Sequence, residues 1–224
     1  TLRDYEKSRN YTQKSLDVFI KVFGESHPYV ASTYTSLGSV TSKLGNPTQA
    51  LAYYHKSLRI LEAGFGWSDI YLGGTCNAIA ATYETMNEWD QALHFHNRSL
   101  HHRIAAFGNH HPLVAAGYTN IADLYLKTGR FDLALANYEQ SLRANIPPTD
   151  GSGLINVMPF ISVFSEPDWL EALWGRARSL SARADAHDVA GLQASVDAFG
   201  AATRFLDETR KSISAEGSRM NWAE

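Results

Sequence analysis

Between residues 47 and 66 the apolar positions fall at Ala50, Tyr54, Leu58, Leu61 and Phe65. Steps of three and four keep one face of an α-helix hydrophobic, so this stretch is predicted to be an amphipathic helix opening at Pro47. The preceding stretch, HPYVASTYTSLGSVTSKLG, is predicted to be a second helix that starts at Pro28 and stops at Gly45. Proline suits a first helical turn because its missing N–H would have no partner there, and glycine just past the end supplies the left-handed cap. No stretch alternates in the period of two that marks a strand.

This two-helix pattern recurs. Phe-Gly stands at 23–24, 65–66 and 107–108, Ser-Leu at 15–16, 57–58, 99–100 and 141–142, and alanine at 50, 92 and 134, each series stepping by 42 residues. Tyr83 pairs with Tyr125 and Gly45 with Gly129 in a compatible register. Several series in one register mark an array of repeats. Within each predicted first helix a small residue (Gly38, Ala80, Ala122) follows a large one (Leu37, Ile79, Ile121), a pattern for close packing between paired helices. Neither helix of a pair is expected to be stable without its neighbours. Residues 1–24 align only with the second helix of a unit, and the chain opens at Thr1, so upstream repeats are expected.

The register ends after Asn145. Residues 146–166, rich in Pro, Gly and Ser with apolar residues between them, are predicted to form an ordered connector. From Pro167 the positions Trp169, Leu170, Leu173, Trp174, Ala177 and Leu180 form a helical face. Val189, Leu192, Val196, Phe199, Thr203, Leu206, Arg210 and Ile213 then form a heptad-like seam. An antiparallel hairpin over 167–224, turning near DAHD, is predicted from the two.

Composition narrows function without naming it. The chain has 224 residues, 44% hydrophobic and 19% charged, with a formal net charge of -3. That is a globular balance, too mixed in sign to argue for nucleic acid or an anionic membrane surface. No apolar run approaches the roughly 20 residues of a membrane span. The single Cys76 excludes an internal disulfide and fits a reducing, cytoplasmic setting.

Reactive chemistry finds little footing. Six of the nine histidines crowd together as His94, His96, His101, His102, His110 and His111. No two of these six have the i, i+3 or i, i+4 spacing of a helical metal pair, so no metal is expected. His111 has a counterpart in His27, each one position before a proline, and both are read as punctuation at a helix start. Cys76 falls at a mid-helix position occupied by Tyr34 and Tyr118 in the flanking units, and is expected to be a buried packing residue rather than a catalytic thiol. Glu84 and Asp123 form no defensible acid–base pair. No phosphate loop, cofactor site or catalysis by this chain alone is expected.

The pattern resembles the tetratricopeptide repeat, whose markers occur in order at Tyr118, Ile121, Ala122, Tyr125, Gly129, Ala134, Tyr138 and Ser141. The 42-residue length and the openings Ser26-His27-Pro28-Tyr29-Val30-Ala31 and His110-His111-Pro112-Leu113-Val114-Ala115 resemble the kinesin light chain subclass. The middle unit departs, lacking His-Pro and placing Gly73-Gly74 in its first helix. The resemblance covers residues 1–145. It implies an all-α, right-handed superhelical solenoid whose first helices line an inner wall, and a protein or extended-peptide partner held there. Transferred position by position, the inward residues are Thr35, Ser39 and Lys43, with Ser32 and Ser42, in the first full unit. They are Asn77 and Glu84, with Ala81 and Thr85, in the second. In the third they are Thr119, Asn120, Asp123 and Lys127, with Leu126. Asn120 matches the asparagine that bonds a peptide backbone in this family, for which an amide that both donates and accepts is suited. The solvated face of an amphipathic helix would show similar residues. The wall has too few cations for a carboxylate clamp.

The C-terminal part resembles the segment between repeats and peptidase in bacterial CHAT proteins, which carry a caspase-like domain. Leu173, Arg176, Ala177 and Leu180, then Leu192, Ala202, Leu206 and Arg210, then Glu216-Gly217-Ser218, carry that likeness. It implies a partner-binding regulatory repeat region attached to or associated with such a peptidase. The kinesin light chain likeness implies instead a stand-alone peptide or cargo adaptor.

Overall fold

In a computed structural model of the chain, residues 2–64, 68–146, 165–184 and 188–220 are described. Among them every regular element is an α-helix. The helices fall into two compact units, divided along the chain between Ala106 and Phe107.

The first unit holds α1 (Leu2–Phe23), α2 (Pro28–Lys43), α3 (Pro47–Ala63), α4 (Ser68–Thr85) and α5 (Trp89–Phe107), the last residue of α5 excepted. The Phe-Gly and His-Pro motifs act together at the start of α2. Gly24 turns the chain at φ 84°, a left-handed conformation costly for other residues. Pro28 is in the first turn, and His27 caps it, Tyr29 N–H donating to His27 Nδ1 at 3.2 Å. The capping ring lies against the Phe23 ring, centroids 4.6 Å apart. The second unit repeats the device: Leu113 N–H donates to His111 Nδ1 at 3.1 Å, and His111 stacks on Phe107 at 4.1 Å. The histidines are punctuation, as their spacing predicts. Where the middle unit lacks proline, α4 opens at Ser68, two positions before the register of Pro28, and runs unbroken through Gly73 and Gly74.

First helices end alike. Gly45 and Gly129 adopt φ 81° and 74°, and Asn87 takes the same left-handed place at φ 59° in the middle unit. The next residue closes each helix: Asn46, Glu88 and Arg130 N–H groups donate to the carbonyls of Thr41, Tyr83 and Tyr125 at 3.1, 3.0 and 2.8 Å.

Leu37 and Ile79 are wholly buried in the first unit, as the large-then-small pattern predicts. Gly38 is needed where it stands, since a Cβ there would lie 2.5 Å from the Tyr54 ring. Between helices the seam is partly polar. Thr35 Oγ1 is 2.8 Å from Ser57 Oγ and 3.1 Å from Thr75 Oγ1.

The second unit holds α6 (Pro112–Lys127), α7 (Phe131–Ala144), α8 (Glu166–Arg183) and α9 (Val189–Met220). α8 packs on α7, touches α6 and pairs with α9, so it takes the place of a further first helix. Its buried positions Trp169, Ala172, Leu173 and Ala177 have the spacing of Leu72, Thr75, Cys76 and Ala80 in α4. Buried Asn145 fixes where α8 begins: its Nδ2 donates to Ser165 O at 2.6 Å, and Ser165 N–H donates to its Oδ1 at 3.0 Å. Residues 147–164, the bulk of the expected connector, lie outside the described residues.

α8 and α9 pack against each other, but the seam on α9 needs correction. Leu192 and Val196 are 41% and 62% exposed. Gly191, Ser195, Ala198 and Ala202 are buried instead, with Phe199 and Phe205 packed beside them. Small residues let α9 approach α8 closely, and that close approach outranks the larger apolar area of leucine and valine. Thr203, also expected in the seam, is exposed, and the expected seam side chains at Val189, Leu206, Arg210 and Ile213 lie outside the described side chains.

Candidate functional site: the first-helix faces

A repeat array buries one face of each first helix against second helices and leaves the opposite face open. On α2 the open face is Tyr29, Ser32, Ser36, Ser39 and Lys43. On α6 the equivalent positions are Leu113, Ala116, Asn120, Asp123 and Lys127.

The expected wall residues divide on this geometry. Lys43 and Lys127 are exposed, and Asn77, Glu84, Asn120 and Asp123 are half-buried. Lys43 Nζ stands 5.4 Å from the centroid of the Tyr5 ring. Thr119 is corrected: it is buried, its Oγ1 2.8 Å from buried Ser141 Oγ, and so belongs to the seam inside the helix pair. Thr35, half-buried between Ser57 and Thr75, belongs there as well. Ser36, outside the expected set, shares this face. It is exposed and stands 84 residues before Asn120, two repeat lengths, so the register alone would have found it. On α8 the open face includes Glu171 and Arg178, which the sequence hides because α8 lies beyond the 42-residue register.

Ser39 and Asp123 also anchor second helices. Tyr54 Oη donates to Ser39 Oγ at 3.2 Å, and Tyr138 Oη donates to Asp123 Oδ1. In the middle unit the tyrosine position is His96 and the serine position is Ala81, which offers no acceptor. Buried His96 instead places Nε2 2.9 Å from Glu84 Oε1, one helical turn further along α4. Glu84 is thereby tied to the interior. In the second unit, burial together with the Asp123 and Asp168 carboxylates raises the Glu171 pKa, against the pull of Arg178. α6 and α8 thus present mixed charges at close range.

Among the described residues, reactive groups do not assemble. Cys76 is fully buried, and burial pushes its thiol up to about 11. Thiolate is the nucleophile, so the folded chain is expected to resist iodoacetamide at pH 8 and to label fully in denaturant. Rapid labelling of the native chain would contradict this packing. His110 Nδ1 contacts Ile146 O at 3.0 Å, and the His101 and His102 rings meet edge to face at 5.7 Å between centroids. Among the described residues no group of three His, Cys, Asp or Glu side chains could hold a metal ion. No helix among them is long and apolar enough to cross a membrane.

Comparison with known proteins agrees with the repeat register. Residues 1–63 and 74–145 match the tetratricopeptide repeat family. No curated protein matches the chain. Among solved structures, BtubC (BKLC) from P. vanneervenii is similar at TM-score 0.71 and 19% identity, covering 92% of this chain and 75% of that one. The nearly identical TPR-like repeats of a protein assigned as a kinesin light chain from Podosopora anserina are similar at TM-score 0.65 and 16% identity, covering 93% and 96%. MamA is similar at 0.58 and 14%, covering 94% of each chain. At these identities the likeness is one of fold, an all-α helical repeat solenoid. With more than half its length matched, the chain belongs to the tetratricopeptide repeat family, whose fold generally serves as a protein–protein interaction scaffold rather than an enzyme.

Proposed function

We propose that this chain binds a protein partner through the open faces of its first helices, holding an extended segment of that partner. The observation behind this reading is the repeated open stripe that Ser36 and Asn120 share by register, beside the lack of any assembled reactive or metal-binding group among the described residues. In the finer form of the proposal, the chain is the partner-binding regulatory repeat region of a cytoplasmic CHAT-type, caspase-like peptidase protein. The packing of α8 and α9 onto the last repeat supports it, because the residues resembling the CHAT segment then form a terminal helix pair. Partner binding would gate the peptidase only if it favoured one of two arrangements of the array. Kinesin-light-chain-like structures support a second reading, a stand-alone peptide or cargo adaptor. Sequencing the gene downstream of Glu224 separates the two. A following segment with a well-spaced His and Cys favours the first, and an early stop codon removes it.

The face itself is tested by substitution. Asn120→Ala and Lys127→Ala are each expected to weaken the partner about tenfold while shifting stability by no more than about 1 kcal/mol. Calorimetry with the purified partner, beside thermal melts, checks both. Unchanged affinity in both variants contradicts the assigned face.

A further inference from the structure

α9 carries two heptad frames, and α8 takes only one of them. Gly191, Ser195 and Ala198 are buried with the spacing of Ala134, Tyr138 and Ser141 on α7. One residue further on, α7 has Leu135, packed against the cluster of Ala177 and Leu180, and Leu142, clustered with Trp169 and Leu173. That face of α7 carries the next helix, α8. The same step on α9 gives Leu192 and Phe199. Here the face is open: Leu192, Val196 and Thr203 are exposed, and Phe199 is half-buried with its ring 5.4 Å from Trp174. Continuity with the α7–α8 interface therefore calls for a helix on this face.

Period and length say which helix. From Val189 to Ile213 the apolar frame steps by three and four without a break. A period of 3.5 residues winds one helix around another over its whole length. The frame runs about 36 Å along α9. α2 and α6 have 16 residues and α8 has 18, which cover about 24–27 Å. α1, with 22 residues, also falls short. Among the described helices only α9, with 32 residues, is long enough to cover it.

Charge allows the match. Between residues 189 and 220 four acidic and four basic residues balance, so two copies of α9 do not repel. A parallel pairing would set Arg210 against itself. An antiparallel pairing centred near residue 201 sets Val196 opposite residue 206 and Phe199 opposite residue 203. It also brings Asp197 near Arg204 of the second copy, both of them exposed in the single chain.

We propose that α9 pairs antiparallel with α9 of a second copy of this chain through the frame of Leu192, Val196 and Phe199. Thr203 and Arg210 interrupt the apolar frame and keep the pairing weak. At the micromolar concentration of a melt the chain is then single, and Leu192 faces water. Sedimentation of the full chain from micromolar to millimolar concentration tests the pairing. The mass is expected to rise from one chain toward two and to stop there. Val196→Asp is expected to weaken association more than tenfold, and Thr203→Leu to strengthen it about tenfold, a gain that misfolding would not give. Orientation is read from a nitroxide on the Gln193→Cys variant, where Cys76 is buried and escapes the label. In the antiparallel pair the two labelled positions stand about 24 Å apart along the axis. A single chain at every concentration would give the face to another occupant, and association indifferent to both substitutions would put the contact elsewhere. A label separation below about 15 Å would make the pairing parallel. Each of these results overturns the proposal.

Discussion

Leu173→Asp is expected to cost about 4–5 kcal/mol and to lower the melting temperature sharply. Leu173 is buried with Tyr138, Leu142, Trp169 and Ala202, where α7, α8 and α9 meet. Aspartate would forfeit the transfer energy of the leucine side chain. It would also place a carboxylate among apolar groups, where it must go unpaired or take up a proton. Leu192→Asp, one helix away, is expected to change stability by less than about 0.5 kcal/mol because Leu192 faces outward. Thermal melts of both variants check the corrected seam on α9. Equal losses would restore the seam read from sequence, and no loss in either would mean that the hairpin does not pack.

Gly175→Ala reverses the usual rule for glycine in a helix. Alanine there gains about 1 kcal/mol of helix propensity. Yet a Cβ on Gly175 would lie 2.2 Å from Cε1 and Cζ of Tyr138. Tyr138 is wholly buried and its hydroxyl is committed to Asp123, so the ring cannot swing aside cheaply. Overpacking of this kind costs about 1–3 kcal/mol and outweighs the propensity gain. Gly74→Ala supplies the opposite sign. Gly74 lies inside α4 with nothing within 4 Å of the added methyl, and alanine there is expected to stabilise by about 0.5–1 kcal/mol. Chemical denaturation of the two variants is the check. Stabilisation by Gly175→Ala would show that α8 does not rest on α7 in this way.

The contrast between Tyr54 and Tyr138 shows where sequence was legible. The 42-residue register announced both tyrosines, both first-helix bounds and the glycine ends, because each is fixed by neighbours a few residues away. It could not announce that Tyr54 leans on Gly38 of its own pair while Tyr138 leans on Gly175 of the following pair. That choice depends on Ala122 already filling the place that Gly38 leaves open, and on a helix outside the register.

The α9 seam failed for a related reason. The larger apolar residues of α9 fall in one heptad frame, whereas Gly191, Ser195, Ala198 and Ala202 fall in another. Close approach of α8 selects the frame with glycine, serine and alanine instead. For the candidate site, an open residue and a seam residue can be adjacent in sequence. Asn120 and Thr119 differ by one position, about 100° around a helix, which is enough to move a side chain from solvent into the stack.

Photo-crosslinking from single positions tests the central claim most directly. Benzoylphenylalanine at position 36 or 120 sits on a first helix, and at position 52 or 136 on the exposed side of a second helix. With a partner recovered by the wild-type chain, irradiation is predicted to give crosslinked product from 36 and 120 and none from 52 and 136. Crosslinking confined to 52 and 136 would contradict the account.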